Sequence, residues 1–140
     1  MVELPSDRKQ RERPLILIVE DQLDLRQLYV HELTMSGFDV IEAGNGVDAI
    51  SHTAERFPDV VLMDLSLPVL DGWEATRRLK DDARTAHIPV VALTAHDGSG
   101  ELQRATRAGC DWFVPKPCPP HHLIEEVRRV LAGPLGTQPA

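Results

Sequence analysis

The sequence predicts an α/β fold built on a five-stranded parallel sheet flanked by five helices, and three observations lead there. Five short apolar runs alternate with five stretches of helical spacing, the signature of a repeated βα unit. The first of these runs, Leu15 to Val19, is continuously apolar rather than alternating, which suits a strand covered on both faces. Four runs end in polar residues of different kinds: Glu20 and Asp21, Asp64, Thr94, and Lys116. Parallel strands point their carboxyl ends at one crevice, so these residues are expected to converge there.

Each element has its own grounds. Leu15 to Glu20 reads as the first strand. Leu25, Leu28, Tyr29 and Leu33 then recur at helical spacing until Ser36-Gly37 stops the helix. Phe38 to Ala43 reads as a second strand. Val47, Ile50, Ala54 and Phe57 mark a second helix ended by Pro58, because the residue before proline is turned away from helical geometry. Val60 to Asp64 is the third strand, and after a loop containing Pro68 the pair Asp71-Gly72 opens a helix carrying Trp73, Thr76 and Leu79. Asp71 is placed to cap it. Pro89 to Thr94 is the fourth strand, Gly98 to Gly100 breaks the chain, and a short, weakly amphipathic helix is expected over Leu102 to Ala108. Trp112 to Pro115 is the last strand. Pro119 and Pro120 start a helix with Leu123, Ile124, Val127, Val130 and Leu131 on one face, closed by Gly133-Pro134.

With 140 residues, 42% hydrophobic and 26% charged, the chain is sized for one domain. The core is expected over residues 14–132, between a polar tail (1–13) and a Pro/Gly-rich tail (133–140). A net charge of −7 argues against a nucleic-acid surface, which needs clustered Lys and Arg. Neither a signal peptide nor a membrane span fits the charged residues ahead of Leu15, so a cytoplasmic location is expected. Cys110 and Cys118 match no zinc or redox spacing and read as reduced, inert thiols. His121-His122 reads as an exposed helix start without a third ligand. Trp73 reads as packing and Asp81-Asp82 as a solvated helix end.

The convergent set has a definite chemistry. Carboxylates within ~4 Å of one another repel by about 4 kcal/mol per pair at an effective dielectric of about 20, so a cluster of three calls for a cation. Oxygen ligands suit Mg²⁺, which takes one or two carboxylates and fills its remaining places with water and phosphate oxygens. Asp64 can then act as a nucleophile towards phosphorus. Lys116 would neutralise one phosphoryl oxygen and Thr94 would hydrogen-bond another.

The fragments Val19-Glu20-Asp21, Leu62-Met63-Asp64-Leu65-Ser66-Leu67-Pro68, Asp71-Gly72, Leu93-Thr94-Ala95 and Lys116-Pro117 resemble, in order and spacing, the receiver domain of two-component response regulators. The resemblance covers residues 14–132. It implies the flavodoxin-like strand order 2-1-3-4-5. It also implies that Asp64 is the phosphoacceptor, that Glu20, Asp21, Asp64 and the Ser66 backbone carbonyl hold the metal, and that Lys116 binds phosphate. Thr94 and Phe113 would be the switch pair, and the Lys116–Pro117 bond would be cis. Ser66 and His96 occupy places that border the incoming water in similar domains, and Ala95 leaves room for the phosphoryl group. Glu20 stands where many relatives have Asp, and Phe113 where many have Tyr. Pro115 has no N–H to give a ladder, which fits an edge strand.

The resemblance implies a single-domain response regulator. It would take a phosphoryl group from a phosphohistidine on a histidine kinase or histidine phosphotransfer protein and change its own binding surface for a downstream protein target. It would take part in its own phosphorylation and dephosphorylation without being an enzyme in the turnover sense. The alternatives are a phosphorelay shuttle and a receiver excised from a hybrid histidine kinase. A haloacid dehalogenase-like phosphohydrolase also uses a strand-end Asp with Mg²⁺, but it wants a second acid where this chain has Ser66. A flavodoxin-type flavin carrier wants a phosphate-cradling first loop, and Glu20-Asp21 would repel a phosphate.

Overall fold

A computed structural model describes residues 11–95 and 100–133. Five strands, β1 (Leu15–Val19), β2 (Asp39–Ala43), β3 (Val60–Asp64), β4 (Val90–Ala95) and β5 (Trp112–Lys116), alternate with five helices. The helices are α1 (Leu23–Met35), α2 (Gly46–Arg56), α3 (Gly72–Asp81), α4 (Glu101–Ala108) and α5 (Pro120–Ala132). All strands pair in parallel in the order β2-β1-β3-β4-β5, the flavodoxin-like order implied by the resemblance.

The continuous apolar runs are explained by two cores, one on each side of the sheet. Ile16, Ile18, Val60, Leu62, Val91 and Leu93 point to one side, where Tyr29 and Leu33 of α1 and Leu123, Ile124 and Val127 of α5 cover them. Leu17, Val19, Val61, Met63, Val90 and Ala92 point to the other, against Ala49 of α2, Ala75 and Leu79 of α3, and Ala105 of α4. Successive side chains of a strand face opposite ways, so only a strand covered twice can be apolar at every position. Truncating a wholly buried residue such as Leu17 to alanine is expected to cost about 2–5 kcal/mol.

Caps set the helix starts. The Asp71 carboxylate accepts from the Glu74 N–H at 2.8 Å, as the sequence predicts, and Asn45 does the same for Asp48 at the start of α2. Pro120 sits in the first turn of α5, where its missing N–H costs nothing. Helix α2 ends at Arg56, one residue before Phe57, whose backbone turns left-handed at φ 48° ahead of Pro58. Three side chains expected on buried faces lie instead at their flanks: Leu28 is 44% exposed, Val47 46% and Leu131 37%. In α1 the core is met by Tyr29 and Leu33, one turn apart, and Leu28 falls off that line.

Pro115 is exposed on the edge strand β5, facing Thr94 across the ladder, so its lack of an N–H leaves no central hydrogen bond unmade. At the amino end, Arg11 donates to the Phe57 carbonyl at 2.8 Å and Arg13 to the Thr34 and Gly37 carbonyls at 3.1 Å each. These guanidinium groups satisfy orphan carbonyls at the ends of α2 and α1. Most of both expected tails, residues 1–10 and 134–140, lies outside the described residues. Among the described residues no helix is long and apolar enough to cross a membrane.

Candidate functional site

Strand register brings the predicted residues together. Val19 pairs with Met63, so Glu20 follows β1 beside Asp64 at the end of β3, and Asp64 pairs with Leu93, one residue short of Thr94. Ala95 pairs with Lys116 on the far side. The site therefore lies along the carboxyl edge of the three strands nearest the point where strand order reverses, together with β5.

The Lys116 ammonium stands 3.0 Å from Asp64 Oδ1 and 3.6 Å from Glu20 Oε1. Glu20, Asp21 and Asp64 each offer a carboxylate oxygen, and these oxygens lie within 4.8 Å of one another. Glu20 and Asp64 are buried, at 1% and 3% exposure, whereas Asp21 is exposed. Two loop amides help: Gln22 N–H donates to Glu20 Oε2 and Ser66 N–H to Asp64 Oδ1, each at 3.2 Å. Glu20 Oε1 is buried without a hydrogen-bond donor among the described residues.

The electrostatics follow from that crowding. Burial, reinforced by the Asp64 charge and by Asp21 and only partly opposed by the Gln22 N–H and Lys116, pushes the Glu20 carboxyl up to about 7. Burial works against the Lys116 ammonium, but Asp64 and then Glu20 outweigh it and hold its pKa above the usual lysine value. An acid cluster short of donors, with one buried oxygen lacking a hydrogen bond, has the chemistry of a hard-cation site, and Mg²⁺ fits this donor set.

Thr94 is buried at the end of β4, and Phe113 is half-buried against the second core beside Ala92. The Lys116–Pro117 bond is cis. Ser66 is exposed at the mouth of the site. His96 lies outside the described residues. Cys110 and Cys118 are free, buried thiols, each raised to about 11 chiefly by burial. Asp82 is not merely solvated, since Arg84 folds back on its carboxylate at 2.8 Å.

Two supports escape a reading by motif. Gly72 opens α3 directly against β3, and an added Cβ there would collide with the Asp64 carbonyl and the Leu65 Cα. The Tyr29 hydroxyl donates to the Cys118 carbonyl at 3.0 Å, inside the core, and ties α1 to the turn that follows Lys116. The one signal for that bond was the chain's single tyrosine on an otherwise apolar helix face, since a buried phenol needs an acceptor.

Comparisons with known proteins bear out the fold. The response regulator receiver domain family matches residues 16–128. The polar-differentiation response regulator DivK of Brucella anthropi is 36% identical over 116 residues, 83% of this chain and 94% of that protein. The receiver domain of the sensor histidine kinase PA1611 from Pseudomonas aeruginosa superposes with a TM-score of 0.80 at 29% identity, over 86% of this chain and 99% of that one. That structure holds a magnesium ion in its active-site cleft. The chemotaxis response regulator CheY4 of Vibrio cholerae gives a TM-score of 0.78 at 27% identity, over 85% and 99%.

Proposed function

The chain belongs to the response regulator receiver domain family, and we propose that it is a phosphorylation switch whose phosphoacceptor is Asp64. As a member of that family it is a signalling domain rather than a turnover enzyme. One observation carries the proposal: a buried aspartate at the carboxyl edge has a lysine 3.0 Å from its carboxylate and two further carboxylates that each bring an oxygen within 4.8 Å.

In the proposed reaction an Asp64 carboxylate oxygen attacks the phosphorus of a phosphohistidine on a histidine kinase or phosphotransfer protein. The P–N bond breaks as the new O–P bond forms, and the imidazole keeps the electron pair and takes up a proton. Lys116 shifts its charge from the carboxylate to a phosphoryl oxygen, and the Thr94 hydroxyl donates to another. Glu20, Asp21, Asp64 and the Ser66 carbonyl would hold Mg²⁺, which when bound offsets the negative charge brought together by nucleophile and phosphoryl group. The added charge of about −1.5 to −2 then draws Thr94 inward, and Phe113 follows into the space beside β4, changing the face made by α4, β5 and α5. The body that switches is residues 14–132.

Incubation with acetyl phosphate and Mg²⁺, followed by intact mass, tests the assignment. One added phosphoryl group is expected, abolished by Asp64→Asn and by chelation. Labelling that survives Asp64→Asn would refute it, as would unmodified wild-type protein. A second reading is a relay step inside a longer kinase pathway, favoured by the likeness to the receiver of a sensor histidine kinase. Back-transfer of the phosphoryl group from Asp64 to a histidine phosphotransfer protein would separate the two.

A further inference from the structure

On the side of the domain covered by α3 and α4, an open groove of about 330 Å³ is lined by Asp71, Trp73, Glu74 and Arg77 from α3 and its cap, and by Arg104 and Arg107 from α4. That volume is on the scale of sites that take small ligands or a few side chains, about 300–1,000 Å³. The two walls differ in charge. On α3 the charges are matched internally: Glu74 accepts from Arg77 and Arg78, Arg77 also reaches Asp81, and Asp71 is occupied in capping the helix. On α4, Arg104 and Arg107 are exposed, one turn apart on the same face, and neither has a carboxylate partner among the described side chains. In a chain of net charge −7 this is a local excess of positive charge.

The groove is also pre-organised. The Arg104 guanidinium lies over the Trp73 ring, 3.6 Å from its centroid, which fixes a long side chain and shields one of its faces from water. Trp73 packs by its ring against the second core, and its indole N–H is buried without an acceptor among the described residues. Arginine and tryptophan, held rigid in a concavity, are the residue types that dominate binding energy at protein interfaces.

We propose that this groove docks an acidic peptide segment of a partner protein, with its carboxylates on Arg104 and Arg107 and an apolar side chain against Trp73. A compact dianion such as phosphate fits less well, because Asp71 and Glu74 line the opposite wall, whereas an extended peptide can keep its carboxylates on the α4 side. None of the groove residues belongs to the Asp64 site, so the groove can be tested on the unphosphorylated chain.

The test uses the unmodified full chain and a fluorescein-labelled peptide of Glu-Leu-Glu-Ala repeats, read by anisotropy and by tryptophan emission, with a Lys-for-Glu peptide as control. Saturable binding of the acidic peptide with a change in emission is expected, and no binding of the basic one. Arg104→Glu and Arg107→Ala should each weaken binding about tenfold or more, and Trp73→Phe should remove most of the emission change. Unaltered far-UV circular dichroism will show that these substitutions leave the fold intact. The proposal is overturned if both peptides bind alike, if the arginine variants bind like wild type, or if no saturable binding appears below about 1 mM. Displacement of the peptide by inorganic phosphate at equal concentration would reassign the groove to a small anion. Self-association lost in the same variants would reassign it to a second copy of the chain.

Discussion

Lys116→Met removes the one ammonium that faces the buried acids among the described residues, while keeping the length of the side chain. At 3.0 and 3.6 Å, its contacts with Asp64 and Glu20 are each worth about 5 kcal/mol of gross Coulombic attraction at an effective dielectric of about 20. The net loss must be far smaller, because the lysine is 29% exposed and pays to leave water. Glu20 can also answer by taking up a proton. Its folded pKa of about 7 lies above the unfolded value of 4.5, so the folded state binds more protons between these limits and the metal-free protein loses stability as pH rises through that window. At about pH 8 in chelator Glu20 is charged, and the variant is expected to lose about 1–3 kcal/mol, a fall in Tm of roughly 3–15 °C. At about pH 5.5 the loss should shrink, because a protonated Glu20 no longer needs the lysine. Saturating Mg²⁺ should shrink it too and should raise the Tm of the variant more than that of wild type. Thermal melts under the three conditions decide the matter. A Tm loss of the same size in all three, or none at about pH 8 in chelator, would refute the electrostatic account.

Other expectations follow from single contacts. Gly72→Ala should destabilise by about 1–3 kcal/mol in urea unfolding, because its Cβ meets backbone at Asp64 and Leu65 that cannot give way. Tyr29→Phe should cost about 1–2 kcal/mol by leaving the Cys118 carbonyl unpaired, and should slow phosphorylation by acetyl phosphate if the bond steadies the Lys116 turn. Val69 sits at φ 69° in the loop after β3, 85% exposed, a conformation that β-branched residues rarely adopt. Val69→Gly should therefore raise stability by about 0.5–1 kcal/mol with no packing lost, and a fall in Tm would show that its side chain is needed there.

The doubly covered strands were legible because burial on both faces writes itself as an unbroken apolar run in β1 and β3. The site was legible for a related reason: parallel strands in register carry their terminal residues to one edge, so Glu20, Asp64, Thr94 and Lys116 needed no side-chain detail to be grouped. What could not be read depends on contacts between elements far apart in sequence. Helical spacing marks a stripe but not its centre, so Leu28 was placed inward together with Tyr29, of which Tyr29 is the buried one, and Val47 was placed inward where Ala49 is buried. Arg11 and Arg13 sit in a polar stretch whose role appears only once the ends of α2 and α1 are beside it. The stacking of Arg104 on Trp73 and the left-handed turn at Val69 are likewise tertiary facts.

The two ends of the sheet show why the acids at one of them are short of donors. At the amino end, Asp59 accepts from the Leu15 N–H and Asp111 from the Val90 N–H, each at 2.8 Å, and Arg11 and Lys80 complete their pairing. Strand starts present free N–H groups, so an aspartate there is satisfied by the sheet itself. Strand ends present carbonyls, and a carboxylate at that edge finds no such donors. Asp64 and Glu20 obtain one loop amide each and share one lysine, and a buried oxygen of Glu20 still lacks a hydrogen bond. The polarity of a parallel sheet thus leaves acids at its carboxyl edge short of donors, whereas acids at its amino edge are satisfied by the strands themselves. Any substitution that supplies a permanent donor to Glu20 Oε1 should therefore stabilise the fold.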